Sequence, residues 1–166
     1  MTINCKGNLI DLSTPKIMGI LNITPDSFYS GSRNKTDQIL LKNAELMLKD
    51  GATFIDVGGY STRPGAEDIS ISEEMDRIVP AVNSLLKNFP EILISADTFR
   101  SDVAEKCIEA GAAMVNDISA GHLDVNMLKM IAKHQVPYIM MHMQGNPQTM
   151  KDLNQYDDML QEIIFY

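Results

Sequence analysis

Residues 49–56 read KDGATFID, which places the polar end of a helix, a glycine and a short apolar strand in eight positions. Residues 109–116, EAGAAMVN, repeat this order and again end in a polar residue. Glycine is favoured where a helix ends, because it adopts a left-handed backbone without a Cβ clash. A recurring helix–glycine–strand pattern predicts a protein built from repeated β/α units.

Five short apolar segments recur along the chain, with longer amphipathic segments between them. Continuous apolar strands are typical of a parallel sheet that is covered on both faces. A short hairpin over residues 3–12 is expected before them. We place the five strands at residues 16–23, 53–57, 92–96, 113–116 and 137–141.

Helices are predicted between these strands. Asp37 is a candidate N-cap for the first helix, which we expect to end at Gly51. Ser70 and Glu73 have the spacing of a capping box at the start of the second. The later helices are expected from about residue 101 to 111, around residues 127–131, and from residue 157 onward.

Strict alternation of strand and helix implies parallel strands joined by right-handed crossovers. The pattern alone is compatible with a doubly wound open sheet or with a (β/α)8 barrel. The five units take about 30 residues each, and eight would take about 240, near the ~250 of a complete barrel. On the barrel interpretation, residues 1–166 are one incomplete domain with about five of the eight units.

The composition is that of an ordinary globular protein, with 45% hydrophobic residues, 22% charged residues and a net charge of −8. This apolar content excludes a disordered chain, and the acidic balance argues against a nucleic-acid partner, which requires clustered Lys and Arg. We expect no membrane association, because no apolar run approaches the roughly 20 residues of a membrane helix. The chain has only two cysteines, Cys5 and Cys107, whereas a disulfide-stabilised protein would have more. We therefore expect reduced thiols and a cytoplasmic location.

Polar residues follow every predicted strand. In parallel α/β folds the carboxyl ends of the strands face the ligand. One such residue can simply bond to a neighbouring loop, but five polar ends on one face favour a binding site. These ends lie at Asn22, residues 56–66, Asp97, residues 116–117 and residues 142–144.

Asp97 and Asn116 suit a flat heterocycle. An ionised Asp only accepts hydrogen bonds, whereas Asn both donates and accepts, so the pair could grip an edge that displays amino and ring N–H groups. The alternative for Asp97 is to cap the following helix. Met140 is a candidate to line the pocket beside a flat ring, and His142 is expected to be a packed side chain rather than a metal ligand.

The loop at residues 58–66, GGYSTRPGA, combines glycines, hydroxyls and one guanidinium. This combination suits an anion, because Arg binds phosphate oxygens in a bidentate manner. Asn22 offers a single oxygen to Mg²⁺, which takes one or two protein oxygens and completes its shell with phosphate and water. The residues alone thus predict a site for a planar heterocycle beside a diphosphate and leave the reaction open.

The chain resembles the dihydropteroate synthase family over essentially its whole length. Residues 18–28, MGILNITPDSF, resemble the family's first signature and residues 56–66 its second, while ADT at 96–98, NDI at 116–118 and MHMQG at 141–145 follow in the same order. The resemblance implies a (β/α)8 barrel transferase of folate biosynthesis, the sulfonamide target. Such enzymes condense 6-hydroxymethyl-7,8-dihydropterin diphosphate with 4-aminobenzoate to 7,8-dihydropteroate and diphosphate.

The resemblance also implies roles for individual residues. Asn22 would lie at the Mg²⁺–diphosphate site and Thr62 would contact the pterin diphosphate. Arg63 would be the catalytic residue of the loop that helps to order the aminobenzoate site, and Asp97 and Asn116 would grip the pterin edge. The implied chemistry is dissociative: diphosphate leaves, the pterin methylene becomes cationic, and the aniline nitrogen attacks. We expect the full-length protein to be a homodimer.

The chain departs from the family pattern in three places. Tyr60 stands where the family often has Glu, and residues 29–33, YSGSR, replace a common Asp-Gly-Gly run. A later Asp and Lys of the pterin pocket, and a Ser-x-Arg-x-His motif, would all lie beyond Tyr166.

We therefore predict that residues 1–166 alone are inactive, also because five barrel strands leave two bare sheet edges. Measurable dihydropteroate formation by the purified segment would contradict this prediction.

Two other functions remain open at this point. A pterin-binding domain of a corrinoid methyltransferase shares the barrel and the pterin grip, although TPDSF at residues 24–28 and STRPG at 61–65 favour the synthase. A non-catalytic pterin-binding protein is favoured only if 166 residues is the natural length.

Overall fold

The computed structural model describes residues 1–23, 33–61, 68–153 and 155–166, with the side chains of residues 33–36 left aside. An antiparallel hairpin comes first, and strands and helices then alternate along the chain. The elements are β1 (Thr2–Cys5), β2 (Asn8–Asp11), β3 (Ile17–Asn22), α1 (Arg33–Lys49), β4 (Ala52–Gly58), α2 (Ile71–Asn88), β5 (Leu93–Asp97), α3 (Ser101–Glu109), β6 (Met114–Asp117), α4 (Met127–His134), β7 (Tyr138–Met140), a 3₁₀ turn (Met150–Asp152) and α5 (Met159–Phe165).

Strands β3 to β7 form one parallel sheet whose spatial order is the order of the chain, β3-β4-β5-β6-β7. A doubly wound sheet reverses its strand order at a switch point, whereas a barrel adds each strand on the same side of the last. The described strands show no reversal. The choice that the sequence pattern left open is therefore settled in favour of the barrel order.

The two faces of the sheet have different surroundings. Ile55, Val57 and Ile94 are fully buried against the helices and form the main core with Val82 and Leu85 of α2. Because side chains alternate along a strand, Phe54, Asp56 and their neighbours in register point to the opposite face, the barrel interior. The helices thus stabilise one face and leave the other for a site.

The N-terminal hairpin closes the interior at the amino ends of the strands. Its turn, Lys6-Gly7, has φ of 54° and 84°, the left-handed backbone that two-residue hairpin turns favour. Cys5 packs in one apolar cluster with Phe54 of β4 and Met114 of β6. The expected hairpin is confirmed, and it forms the floor of the barrel interior.

The predicted cap at Asp37 is wrong. Helix α1 already begins at Arg33, so Asp37 lies inside it, and its carboxylate accepts a hydrogen bond from Ser84 Oγ of α2 at 3.2 Å. The capping interaction at Ser70 is confirmed, since its hydroxyl accepts from the backbone N–H of Glu73 at 3.1 Å. No helix in the described part of the chain is both long and apolar enough to cross a membrane.

Candidate functional site

A row of residues crosses the sheet at its carboxyl end. Strand register pairs Asn22 with Gly58, Gly58 with Asp97, and Asp97 with Asn116. Neighbouring strands lie about 4.8 Å apart, so this register brings three polar side chains from distant parts of the chain to one edge. Because residues in register share a face, all of them belong to the barrel interior.

Gly58 keeps the centre of this row open. A Cβ at this position would lie 3.0 Å from Asp97 Oδ2 and 3.5 Å from Asn22 Oδ1. A contact of 3.0 Å is tighter than most Cβ contacts, so a side chain here would shift the Asp97 carboxylate by a few tenths of an ångström. Glycine therefore leaves a cradle between the carboxylate and the amide that a ligand can enter.

A second layer lies directly beneath the row. Register pairs Asp56 with Ser95, and Asn116 Nδ2 reaches down to donate a hydrogen bond to Asp56 Oδ2 at 3.0 Å. Asp56 is only 3% exposed, and its Oδ1, like Ser95 Oγ, is buried without a hydrogen-bond partner. Burial raises the pKa of Asp56, opposed by the neighbouring Ser95 hydroxyl and Asn116 amide. Unpaired buried polar atoms are costly, so a ligand or water that bonds to them would offset this cost.

The Asp97 carboxyl group has a strongly shifted pKa. Burial, reinforced by the charges of Asp56, Glu74 and Asp117, raises its pKa to about 7. Within the described ranges, no side chain donates a hydrogen bond to this carboxylate. It is thus a free acceptor whose ionised form is disfavoured until donors arrive.

The alternative role of Asp97 as a helix cap is wrong. Helix α3 begins at Ser101, whose backbone N–H donates instead to Asp124 Oδ2 at 2.7 Å. The hydroxyl of Thr98 accepts from the backbone N–H of Arg100 and donates to Glu74. With the cap supplied by other residues, the Asp97 side chain has no structural hydrogen bond to maintain.

Asp117 has a purely structural role, although it follows the same strand as Asn116. Its fully buried carboxylate accepts from the backbone N–H and hydroxyl of Ser119, from the N–H of Gly121 and from the Tyr138 hydroxyl, at 2.6–2.8 Å. In register Asp117 pairs with Met140. It therefore faces away from the interior and organises the loop after β6.

Met140 and His142 lie near the edge strand β7. Met140 ends this strand, is 63% exposed and pairs in register with Asp117, whereas Ile139 pairs with Asn116. By this register Met140 shares the outward face of Asp117, so the structure does not bring it beside Asp97 and Asn116 as the sequence predicted. His142 packs against Tyr156 and Tyr166 with ring centroids 5.7 and 4.6 Å apart, the packed role expected for it.

Thr62 and Arg63 lie outside the described residues, but both flanks of their segment are well defined. Tyr60 is 6% exposed and meets Phe99 edge to face, with centroids 5.1 Å apart. On the other flank, Asp68 pairs with Arg100 Nη2 at 3.2 Å. Tyr60 and Asp68 therefore both lie beside the residues that precede α3.

Glu74 is the residue that sequence reasoning missed. It is fully buried in the first turn of α2, accepts from the Thr98 hydroxyl at 2.7 Å and pairs with Arg100 Nη1 at 2.9 Å. Burial raises its pKa, opposed by these partners. A signal was present, because Glu74 precedes Ile78 by four residues and shares its apolar helix face.

The described residues offer few ligands to a metal ion. Among the described residues, no three histidine, cysteine or carboxylate side chains are arranged around a common ion. Asn22 Oδ1, at the rim of the Gly58 cradle, is a single neutral oxygen. That suits Mg²⁺, which holds phosphates and waters in most of its positions, and it does not suit an ion that needs a cage of protein ligands.

Comparison with known proteins agrees with this architecture. The chain is 42% identical to dihydropteroate synthase of Escherichia coli K12 over all of its 166 residues, which cover 58% of that relative. It matches the solved dihydropteroate synthase of Yersinia pestis in a sulfonamide drug complex with a TM-score of 0.86 and 41% identity, covering 99% of this chain and 59% of that one. The Xanthomonas albilineans synthase with 4-aminobenzoic acid gives 0.84 and 34%, covering 98% and 56%.

These matches also confirm the barrel fold, since the neighbours are (β/α)8 barrels. The chain spans somewhat less than three fifths of the length of these relatives. The family described as "Pterin binding enzyme" matches residues 18–166, which include the row, the layer beneath it and both flanks of the 62–67 segment. The chain belongs to the family of pterin-binding enzymes.

Proposed function

We propose that the protein is a dihydropteroate synthase, which joins 6-hydroxymethyl-7,8-dihydropterin diphosphate to 4-aminobenzoate and releases diphosphate. The observation that carries this proposal is the row Asn22–Gly58–Asp97–Asn116 at the carboxyl end of the sheet. Relatives at about two fifths identity bear this name, and solved neighbours hold 4-aminobenzoic acid or a sulfonamide drug. Sulfonamide sensitivity of this protein is part of the proposal.

Asp97 and Asn116 orient the pterin in this scheme. The free carboxylate of Asp97 accepts from the amino and ring N–H groups of the pterin edge, and the carbonyl of Asn116 accepts beside it. The Asn116 amide is already engaged with Asp56, which holds it in one orientation. A preset pair of acceptors loses little conformational entropy when the ligand binds.

The Asp97 carboxylate also favours the charge that develops during reaction. Once pterin donors favour its ionised form, Asp97 would place negative charge beside the ring, whereas the charge of nearby Glu74 is already matched by Arg100. As diphosphate leaves, positive charge grows on the pterin methylene, and fixed negative charge in a water-poor site lowers the energy of that state. Electrostatics of this interior thus suit a dissociative substitution, with the aniline nitrogen attacking from the solvent side.

The diphosphate needs cationic partners that the described part of the site does not supply. We assign Arg63 to the loop that orders the aminobenzoate, with Thr62 on the diphosphate. Mg²⁺, held by Asn22 together with the substrate's own phosphates, would stabilise the charge of the leaving group.

Calorimetric titration of the full-length protein tests this proposal. Pterin diphosphate is expected to bind with Mg²⁺ present and to lose at least about tenfold in affinity when EDTA removes the ion, since phosphate charge is then unmatched. Asn22→Ala should shrink this dependence on Mg²⁺. Asn8→Ala, the same change on the exposed hairpin at the opposite end of the barrel, should leave it intact.

The titration also separates the competing functions. Binding of the pterin that is unaffected by removing both Mg²⁺ and the diphosphate would count against the synthase and favour a methyltransferase-type pterin domain. Tight binding without dihydropteroate formation would favour a non-catalytic pterin-binding protein.

We further propose that the protein acts in the cytoplasm. Cys5 and Cys107 are both unpaired and buried, and burial raises the pKa of Cys107 to about 12, so these thiols are packed side chains rather than reactive groups. Such free thiols suit a reducing compartment. The full-length homodimer stays a prediction, which sedimentation analysis would test.

A further inference from the structure

A buried hydrogen-bond network ties the end of strand β5 to helix α2. Glu74 of α2 is fully buried, and one of its carboxylate oxygens accepts from the Thr98 hydroxyl at 2.7 Å. The other oxygen accepts from Arg100 Nη1 at 2.9 Å. The Thr98 hydroxyl in turn accepts from the backbone N–H of Arg100 at 3.2 Å. These contacts fix the chain directly after Asp97, the last residue of β5.

The same network reaches the next strand of the sheet. The backbone N–H of Thr98 donates to the carbonyl of Asn116 at 3.0 Å. Asp97 and Asn116 are partners in the strand register. Thr98, held by Glu74, therefore fixes the spacing between the two residues that we assign to the pterin edge.

Helix α2 also contacts the chain at the end of strand β4. Arg77 Nη1 donates to the carbonyl of Gly59 at 3.2 Å. A Cβ at Gly59 would lie 3.1 Å from the backbone oxygen of Glu74, so glycine allows this close approach. Gly59 directly follows Gly58, the centre of the row. The first turns of α2 thus hold the ends of two neighbouring strands of the site.

The Asp97 carboxylate depends on its backbone for its position. Among the described residues no side chain donates a hydrogen bond to it, so no partner orients it before a ligand arrives. An acceptor of this kind binds tightly only where its surroundings already place it, because ordering it on binding costs free energy. The bonds of Glu74 and Thr98 supply this placement through the backbone.

Stability alone is a weak reason to bury Glu74. Taking a carboxylate out of water offsets most of the attraction within its ion pair, and apolar side chains of similar volume often stabilise a protein better. A buried network whose groups are all hydrogen-bonded instead fixes the geometry of the segments that it joins. The segments joined here carry the row, which points to a role in binding.

We propose that Glu74 and Thr98 are positioning residues of the pterin site, and that Arg77 has the same role at the end of β4. They hold the strand ends so that Asp97 and Asn116 meet the pterin edge at a fixed spacing. This inference rests on the proposed function for the identity of the ligand. It assigns the three residues no contact with the pterin itself.

Thr98→Val in the full-length protein tests the link to β5, because it removes the hydroxyl and keeps the shape of the side chain. The probe is 6-hydroxymethylpterin, which lacks the diphosphate, so neither phosphate nor Mg²⁺ contributes to the titration. We expect calorimetry to show affinity about tenfold lower, since a small displacement of Asp97 weakens its alignment with the ligand. Thr98→Ser keeps the hydroxyl and should bind like the wild type.

Val82→Ala is the control for stability. Val82 is a fully buried core residue of α2, and its truncation should lower the thermal midpoint by about 5 °C. Thr98→Val should lower the midpoint by a similar amount, because it leaves two hydrogen-bonding groups without their partner. Only Thr98→Val should weaken pterin binding. Equal losses of stability with unequal affinities separate positioning from a general structural role.

Arg77→Met tests the contact at β4 with little risk to folding, because the Arg77 side chain is partly exposed. It removes the donor to the Gly59 carbonyl and keeps the aliphatic stem. We expect pterin affinity about threefold lower. Lys106→Met removes the cation of another ion pair within a helix, that with Glu109, and should bind like the wild type.

The inference is overturned if Thr98→Val and Val82→Ala bind pterin equally well, or if Thr98→Ser loses as much affinity as Thr98→Val. Should Thr98→Val not fold, equal affinities of Arg77→Met and Lys106→Met would overturn it. A wild-type protein that binds pterin but forms no dihydropteroate contradicts the proposed function alone, and the affinities still decide on the positioning residues. A wild type that binds no pterin contradicts both.

Discussion

Asp97→Asn is expected to lower the affinity for pterin about 100-fold, since hydrogen bonds to a charged acceptor contribute about 1.5–3 kcal/mol each. The amide nitrogen of the new side chain also opposes the donors of the pterin edge. Because the pKa of Asp97 is about 7, wild-type affinity should rise as pH increases through 7. In the variant this dependence should be flat, and titration calorimetry from pH 5.5 to 8.5 measures both.

The same substitution should stabilise the folded protein. The unfolded state ionises Asp97 near its ordinary pKa of 3.8, whereas the folded state keeps the proton up to about pH 7. Below about pH 4 Asp97 is protonated in both states and does not affect the free energy of unfolding. Above about pH 7 it is ionised in both states, and its burial then lowers that free energy by at most ~4 kcal/mol. The variant should melt several degrees higher at pH 8 and equally at pH 4. A lower midpoint at pH 8 with unchanged pterin affinity would assign Asp97 a structural role.

Asp117→Ala should have the opposite profile, with a loss of stability of about 4 kcal/mol, because four donors, two of them buried and two partly buried, lose their common acceptor. For a chain of this size that corresponds to a thermal midpoint lower by roughly 10 °C. The loop after β6 loses its anchor at Ser119 and Gly121, and the Tyr138 hydroxyl loses its acceptor. Calorimetric melting of the full-length protein measures this loss.

The control for Asp117→Ala is the same change at the exposed Asp50, which should shift the midpoint by about 1 °C or less. Asn116→Ala provides the second comparison, since it neighbours Asp117 but faces the interior. It should bind pterin poorly and lose less stability than Asp117→Ala, because it removes one hydrogen bond to Asp56 instead of four to Asp117. Equal stability of Asp117→Ala and Asp50→Ala would show that the four hydrogen bonds are replaced by water.

Much of the fold was predictable because apolar strands and glycine caps are local signals. The strand at Ala52–Gly58 and the capping interaction of Ser70 both follow from residues close together in the chain. The local pattern predicts that α1 starts at Asp37, because Asp is a good cap. In the structure this carboxylate bonds to Ser84, a contact 47 residues away that no local pattern reveals.

The position at the end of a strand predicts the candidate site, but it does not reveal the structural role of the neighbouring Asp117. Asn22, Asp97 and Asn116 all end strands, and the barrel turns this shared position into spatial proximity. Asp117 also ends a strand, and only the alternation of side chains across the sheet separates its role from that of Asn116. Glu74 and Arg100 are 26 residues apart, so their contact depends on the packing of α2 beside α3.

The hairpin at the base of the sheet has a kinetic consequence. Cys5, Phe54 and Met114 pack together at the amino ends of the strands and close that end of the described interior. A ligand of the proposed reaction therefore reaches Asp56 and Asn116 from the carboxyl ends of the strands. A co-reactant bound above it at those ends would cover it, so we expect the molecule that lies deepest to bind first.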